Sequence, residues 1–230
     1  MAAVDVVRFI IENTLREAPY LCPEIPLRLI TENCPLWQAR EADLEKLGLS
    51  DPFWGFCWAG GQALARHLLD RPDAVRGRVV LDVGCGGAVE AIAAARAGAS
   101  RVIAADTDPL AVAAARINAT DNQVEIETLA ADPLARSWPK VQVVLVGDLF
   151  YEEGFSRRLL GWLRAQAAAG KTVLVGDPER GHFPMGEGEL LVEYRVPADV
   201  DLRGRHLRRA GVYRLSARTS ARNSDRSLAS

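Results

Sequence analysis

Apolar and polar positions follow two different periods along this chain. Val4, Val7, Ile10, Ile11 and Leu15 recur at helical spacing, which predicts an amphipathic helix over residues 3–17. Pro19 and Pro23 break it, and Pro23-Glu-Ile-Pro-Leu-Arg-Leu-Ile30 begins an irregular second arm. A short helix over 38–47, ending before Gly48, is expected next, and a further one over Ala63–Asp70. From Val79 the pattern becomes regular. An apolar run, Val79–Leu81, meets Asp82 and a turn carrying Gly84, Gly86 and Gly87, and an Ala-rich helical segment follows to Ala97. Strands are then expected at Arg101–Asp106, Val124–Leu129, Val141–Gly147 and Thr172–Asp177, with helices at Pro109–Ala119 and Glu153–Ala169. Leu190–Val196 and Gly211–Ser216 have no helix-period segment between them and read as a terminal hairpin.

Strands alternating with helices of this length predict an α/β fold with a doubly wound, mostly parallel sheet. Three regions are expected: a helical and irregular N-terminal arm over 1–50, a main domain over 51–216, and a disordered tail over 217–230, rich in Ser, Arg and Asn. Seven strands ending in an antiparallel hairpin resemble the class I, seven-β-strand, Rossmann-like methyltransferase plan.

Composition narrows the class by exclusion. The 230 residues carry a formal net charge of -2, so no whole-chain bias points to nucleic acid. No apolar run is long enough to span a bilayer. The four cysteines form no C-x-x-C pair and the three histidines are scattered, which argues against a metal site. With no cationic leader at the N-terminus, the expected compartment is the cytoplasm.

The glycine-rich turn admits two cofactors. A dinucleotide site requires G-x-G-x-x-G, and counting from Gly84 the third position is Val89, so that fingerprint fails. The alternative is G-x-G-x-G preceded by an acid, as in sites for S-adenosylmethionine. Asp82, Gly84 and Gly86, with Cys85 between the glycines, match it, and Ala88 stands in for the last glycine. Asp106 favours this second reading, because a carboxylate at the end of the next strand is placed to accept both ribose hydroxyls. Asp108, just before Pro109, is better read as a helix N-cap. Asp132 is either an adenine contact or a loop cap. Upstream, the aromatics of Asp51–Gln62, Trp54 and Trp58 among them, either line a flat pocket or fill core beneath a loop.

Chemistry is expected beyond the fourth strand, at Gly147-Asp-Leu-Phe-Tyr151, since ligands of open parallel sheets sit beyond the strands' carboxyl ends. An acid among aromatics suits a cationic amine. A lysine at pH 7 lies about three units below its pKa, so the neutral nucleophile costs roughly 4–5 kcal/mol to produce. A carboxylate raises that cost, so Asp148 is expected to orient the amine and stabilise developing charge rather than to act as base. Phe150 and Tyr151 are expected to pack on the cation.

Asp148-Leu-Phe-Tyr151 resembles the D-x-x-Y signature of seven-β-strand protein-lysine methyltransferases. Pro23–Ile30, Asp51–Trp54, Trp58–Leu64, Val75–Gly77, Asp106–Pro109, Gly147–Glu153, Val175–Pro178 and Leu191–Tyr194 are similar to segments of the electron transfer flavoprotein beta-subunit lysine methyltransferases. The resemblance implies S-adenosylmethionine contacts at Trp58, Gly84, Gly86, Asp106 and Gly147, a lysine held by Asp148 and Tyr151, and the flavoprotein beta subunit as substrate. The chain's Ala/Arg-rich composition looks like that of a bacterial-type member, for which the cytoplasm is expected. Ala88 and the Arg-rich stretch Arg203–Arg222 depart from the family pattern; the stretch reads either as a docking surface or as a solvated strand face. Two other functions remain open: methylation of large-subunit ribosomal protein eleven, and non-catalytic binding of S-adenosylmethionine or the flavoprotein.

Overall fold

The computed structural model describes residues 5–39, 44, 51–179, 181–184, 186–197 and 207–216. The expected tail over 217–230 and most of the expected 38–47 helix lie outside them.

The main sheet has seven strands: β3 (Val79–Val83), β4 (Arg101–Asp106), β5 (Glu127–Ala130), β6 (Val143–Gly147), β7 (Thr172–Asp177), β8 (Gly188–Pro197) and β9 (Leu207–Leu215). Their spatial order is β5-β4-β3-β6-β7-β9-β8. The first five run parallel, and β9 enters between β7 and β8, antiparallel to both. Strand order therefore reverses beside β3, between β4 and β6, the position where ligands of such sheets bind.

Both faces of the strands are apolar because helices cover both. Val80, Ala104, Val143 and Leu174 pack with α3 (Ala59–Asp70) and α4 (Val89–Arg96) in one core. Their neighbours Leu81, Ile103, Val144 and Val173 face the opposite core, with Leu159 and Leu163 of α6 (Glu153–Ala168). This is the period-2 alternation of a strand buried on both sides. α5 (Pro109–Asp121) starts at Pro109, with Asp108 Oδ1 accepting the Leu110 N–H at 2.8 Å, the expected N-cap.

The N-terminal region departs most from its periodicity. α1 spans only Val6–Glu12 and is followed by β1 (Leu15–Glu17), which pairs antiparallel with β2 (Leu27–Leu29). The helix ends where Thr14 turns its hydroxyl back to the Ile10 carbonyl at 2.6 Å. A short α2 (Pro35–Gln38) follows. Ile10, Ile30, Leu36 and Trp54 pack on Ala111 and Ala114 of α5, so the arm docks on the main sheet's helix layer.

Other boundaries shift for tertiary reasons. α3 begins at Ala59 rather than Ala63, because Gly60 and Gly61 pack at close range against the ends of β6 and β7. β5 and β6 start later than their apolar runs, and β9 starts earlier, at Leu207.

Candidate active site

β3 leaves the sheet at Val83 and turns through Gly84 and Gly86, both in the left-handed region at φ 66 and 47. Ala88 also adopts it, at φ 67, as the N-cap of α4. An L-residue there costs roughly 1–2 kcal/mol, which is why glycine suits that position of the turn. The Gly84 and Cys85 N–H groups both donate to the Ala105 carbonyl, at 2.8 and 3.1 Å, clamping the turn to β4. The Gly86 N–H donates to Asp106 Oδ2 at 3.0 Å, and Asp106 Oδ1 accepts the Asp108 N–H at 3.0 Å. Asp106 is partly exposed, and burial raises its carboxyl above the usual range.

Two of the residues expected to bind the cofactor have side chains buried at the turn. Asp82 is 1% exposed and lies beneath it, where its Oδ2 accepts the Ala91 N–H at 3.1 Å and caps α4 from inside. The Cys85 thiol is buried, and desolvation raises its pKa well above the normal value.

The chain after β6 holds the residues from which chemistry is expected. Asp148 is 7% exposed at φ 59, and its Oδ2 accepts the Gly60 N–H at 2.7 Å. Leu149 lies over Gly84: a Cβ there would stand 2.7 Å from its Cδ1. Phe150 is fully buried, edge-on to Phe183 with ring centroids 5.0 Å apart, so the expected cation contact is corrected to a core role. Tyr151 is 56% exposed and stacks on Phe155. Desolvation and then the Asp106 charge raise its phenol, which brings Tyr151 and Asp106 into one electrostatic neighbourhood.

Asp132 caps a 3-10 turn through the Leu134 N–H at 2.8 Å and pairs with Arg158 at 3.1 Å. The loop cap that its sequence allowed is therefore present. Trp58 precedes α3, partly exposed, with its indole N–H on the Phe53 carbonyl at 2.9 Å and its ring between Phe53 and Phe56. Trp54, by contrast, is core.

The fit to a nucleoside-bearing methyl donor rests on the turn. At Gly86 the space a Cβ would take meets only the Trp54 Cα, at 3.8 Å, so a ligand can approach the backbone there. Asp106 beside it retains lone pairs for a ribose diol. Among the described residues, no cluster of His, Cys, Asp and Glu suits a metal ion. A hollow of about 810 Å³ lies at the opposite ends of the strands, beside Arg71, Arg78, Lys171 and Arg214, remote from this site.

Sequence reasoning passed over three participants. Glu90 is buried against Gly61 and Gly147, Gly60 holds Asp148, and Asn118 braces the turn. A glutamate in an otherwise small, apolar first turn was the legible signal for Glu90; the other two had none.

Residues 63–146 match the family model described as ribosomal protein L11 methyltransferase (PrmA). The chain is 43% identical over 182 residues to the electron transfer flavoprotein beta subunit lysine methyltransferase of Homo sapiens, covering 78% of this chain and 68% of that protein. The chain belongs to this family. The family's Caenorhabditis elegans homolog is 32% identical over 205 residues, with 82% of each chain covered. The methyltransferase fold is shared with the magnesium protoporphyrin IX methyltransferase of Synechocystis, a structure with bound S-adenosylmethionine, at a TM-score of 0.51, 17% identity, and coverage of 68% of this chain and 80% of that one.

Proposed function

We propose that this chain transfers methyl groups from S-adenosylmethionine to lysine side chains of the beta subunit of electron transfer flavoprotein. The observation that carries the reading is Asp148: a carboxylate fixed by the Gly60 N–H at 2.7 Å, at the end of β6, one strand from the glycine turn. When bound, the cofactor supplies an electrophilic methyl group on a sulfonium. Asp106 accepts the ribose hydroxyls, while the backbone at Gly84, Gly86 and Gly147 gives close approach and Trp58 forms a wall. Asp82 and Cys85 hold the turn in shape. Asp148 orients the lysine amine and stabilises the positive charge its nitrogen acquires. Tyr151 packs on the alkyl stem and ammonium.

Methylation of the ribosomal protein is the second reading. The match to its family model covers residues 63–146 and stops before Asp148 and Tyr151. Incubation with S-adenosylmethionine and each purified substrate, followed by intact-mass analysis, separates the two. Methyl groups on the flavoprotein beta subunit support the proposal. Methylation confined to the ribosomal protein, or cofactor binding with no product, defeats it.

A further inference from the structure

Glu90 stands in the first turn of α4 among Ala88, Val89, Ala91 and Ile92. Its carboxyl occupies a slot made by two glycines: a Cβ on Gly147 would lie 1.8 Å from Oε1, and one on Gly61 would lie 3.0 Å from it. Gly147 immediately precedes Asp148, and Gly61 follows Gly60, whose N–H holds the Asp148 carboxylate. Glu90 therefore fills the gap between the two elements that mount Asp148.

Titratable neighbours reach Glu90 from every side: Asp82 from β3, Asp148 from the end of β6, Cys85 from the turn, Cys57 ahead of α3 and Cys22 from the N-terminal arm. Among the described residues, no basic group offsets them at Glu90. Burial, and next to it the Asp148 charge, raise its carboxyl to about 7, partly opposed by its own backbone N–H. Asp148 has the Gly60 N–H of α3's first turn to stabilise its charge. Two neighbouring carboxyls whose surroundings separate their proton affinities take different roles.

We propose that Glu90 is a proton-exchanging positioning residue, protonated in part while the cleft holds no cation and fully ionised when a cation enters. The proton passes from the Glu90 carboxyl to bulk water, and the carboxylate left behind balances the incoming charge, either the cofactor's sulfonium or the lysine ammonium. With Glu90 neutral, Asp148 is the anion that receives the amine; with Glu90 ionised, the bound pair of cations is matched. This rests on the methyltransferase reading and deepens it.

The test is a carbon-13 NMR titration of glutamate carboxyls in the full chain, with Glu90 assigned by its loss in Glu90→Gln. Three states are compared: free protein, protein with S-adenosylhomocysteine, whose sulfur is neutral, and protein with S-adenosylmethionine, whose sulfur is cationic. The expected result is titration near neutrality in the free protein, little change with the thioether, and a fall of at least about one unit with the sulfonium. An ordinary glutamate titration in the free protein, or identical values in the two complexes, overturns the proposal alone. If neither ligand binds, the methyltransferase reading falls and the cation-linked step with it. The pH profile of kcat/KM provides a kinetic counterpart. An inflection near neutrality that Glu90→Gln abolishes supports proton exchange, whereas an equal loss at every pH indicates packing only and overturns it.

Discussion

The Gly60 N–H donates to Asp148 Oδ2 at 2.7 Å, joining the first turn of α3 to the loop that follows β6. The acceptor is nearly buried and its backbone is left-handed, so the protein rather than solvent sets the carboxylate's direction. A hydrogen bond to a charged group in such a place is worth about 1.5–3 kcal/mol. Asp148→Ala is expected to abolish methyl transfer, leave cofactor affinity nearly unchanged, and lower stability by about that amount. Asp148→Asn keeps an acceptor for Gly60, and should recover most of the stability without recovering turnover. Rate assays, calorimetry and urea denaturation check the three statements; full activity in Asp148→Ala would remove Asp148 from the site.

Asp106 joins the Gly86 turn to the Asp108 cap, and in the proposed function it accepts the ribose hydroxyls. Asp106→Ala should weaken S-adenosylhomocysteine binding about ten- to a hundredfold, from the loss of hydrogen bonds to a charged group worth about 1.5–3 kcal/mol. Calorimetric titration measures this directly, and circular dichroism tests that the variant is folded. An unchanged affinity would place the ribose elsewhere.

Gly147→Ala puts a methyl group 1.8 Å from Glu90 Oε1 and 2.8 Å from the Gly61 Cα. Overpacking of this kind destabilises by about 1–3 kcal/mol. Adding Glu90→Ala removes the first clash, so the double variant should be more stable than the sum of the singles predicts. A double-mutant cycle in urea reads the coupling, and strict additivity would show that the two side chains do not share the space.

Folding raises the Glu90 carboxyl from 4.5 to about 7. Between these values the folded chain binds more protons than the unfolded one, so stability falls as pH rises through that window. The full effect is on the order of 3 kcal/mol. Burial raises the Asp82 and Asp106 carboxyls as well, and they act in the same direction. The difference between the parent chain and Glu90→Gln isolates Glu90: the variant should lose less stability between pH 4.5 and 7. Parallel stability curves would contradict the assignment.

Asn118 is wholly buried; its Nδ2 donates to the Gly87 carbonyl at 2.9 Å while its Oδ1 accepts the Arg28 N–H at 2.7 Å. One side chain thus ties the N-terminal arm to the glycine turn. Asn118→Ala leaves both backbone groups without that partner and should cost about 1–3 kcal/mol for each group left buried and unsatisfied. Hydrogen exchange should then rise at Arg28 and around the turn together, whereas a rise at only one of them would show that the arm and the turn are not coupled there.

The sequence by itself determined the sheet and the turn, and it supplied the residues on which the proposed chemistry rests. Those depend on local and periodic signals: apolar strands in β3 to β7, glycines at 84 and 86, an acid ending β4, and Asp148 ending β6. Asp108 before Pro109 was legible as a cap for the same local reason. The tertiary structure alone decided which side of the turn each group faces. Asp82 and Cys85 belong to the motif, yet strand alternation and the clamp to Ala105 turn them beneath it. Phe150 sits one residue from Tyr151 and has the opposite fate, buried against Phe183 while Tyr151 is exposed. Leu15–Glu17 continues the helical period of α1 but pairs as a strand with Leu27–Leu29, a partner no local pattern contains. Glu90 and Gly60 owe their roles to contacts with residues distant in sequence, Gly147 and Asp148, that form only once α3, α4 and β6 have packed together.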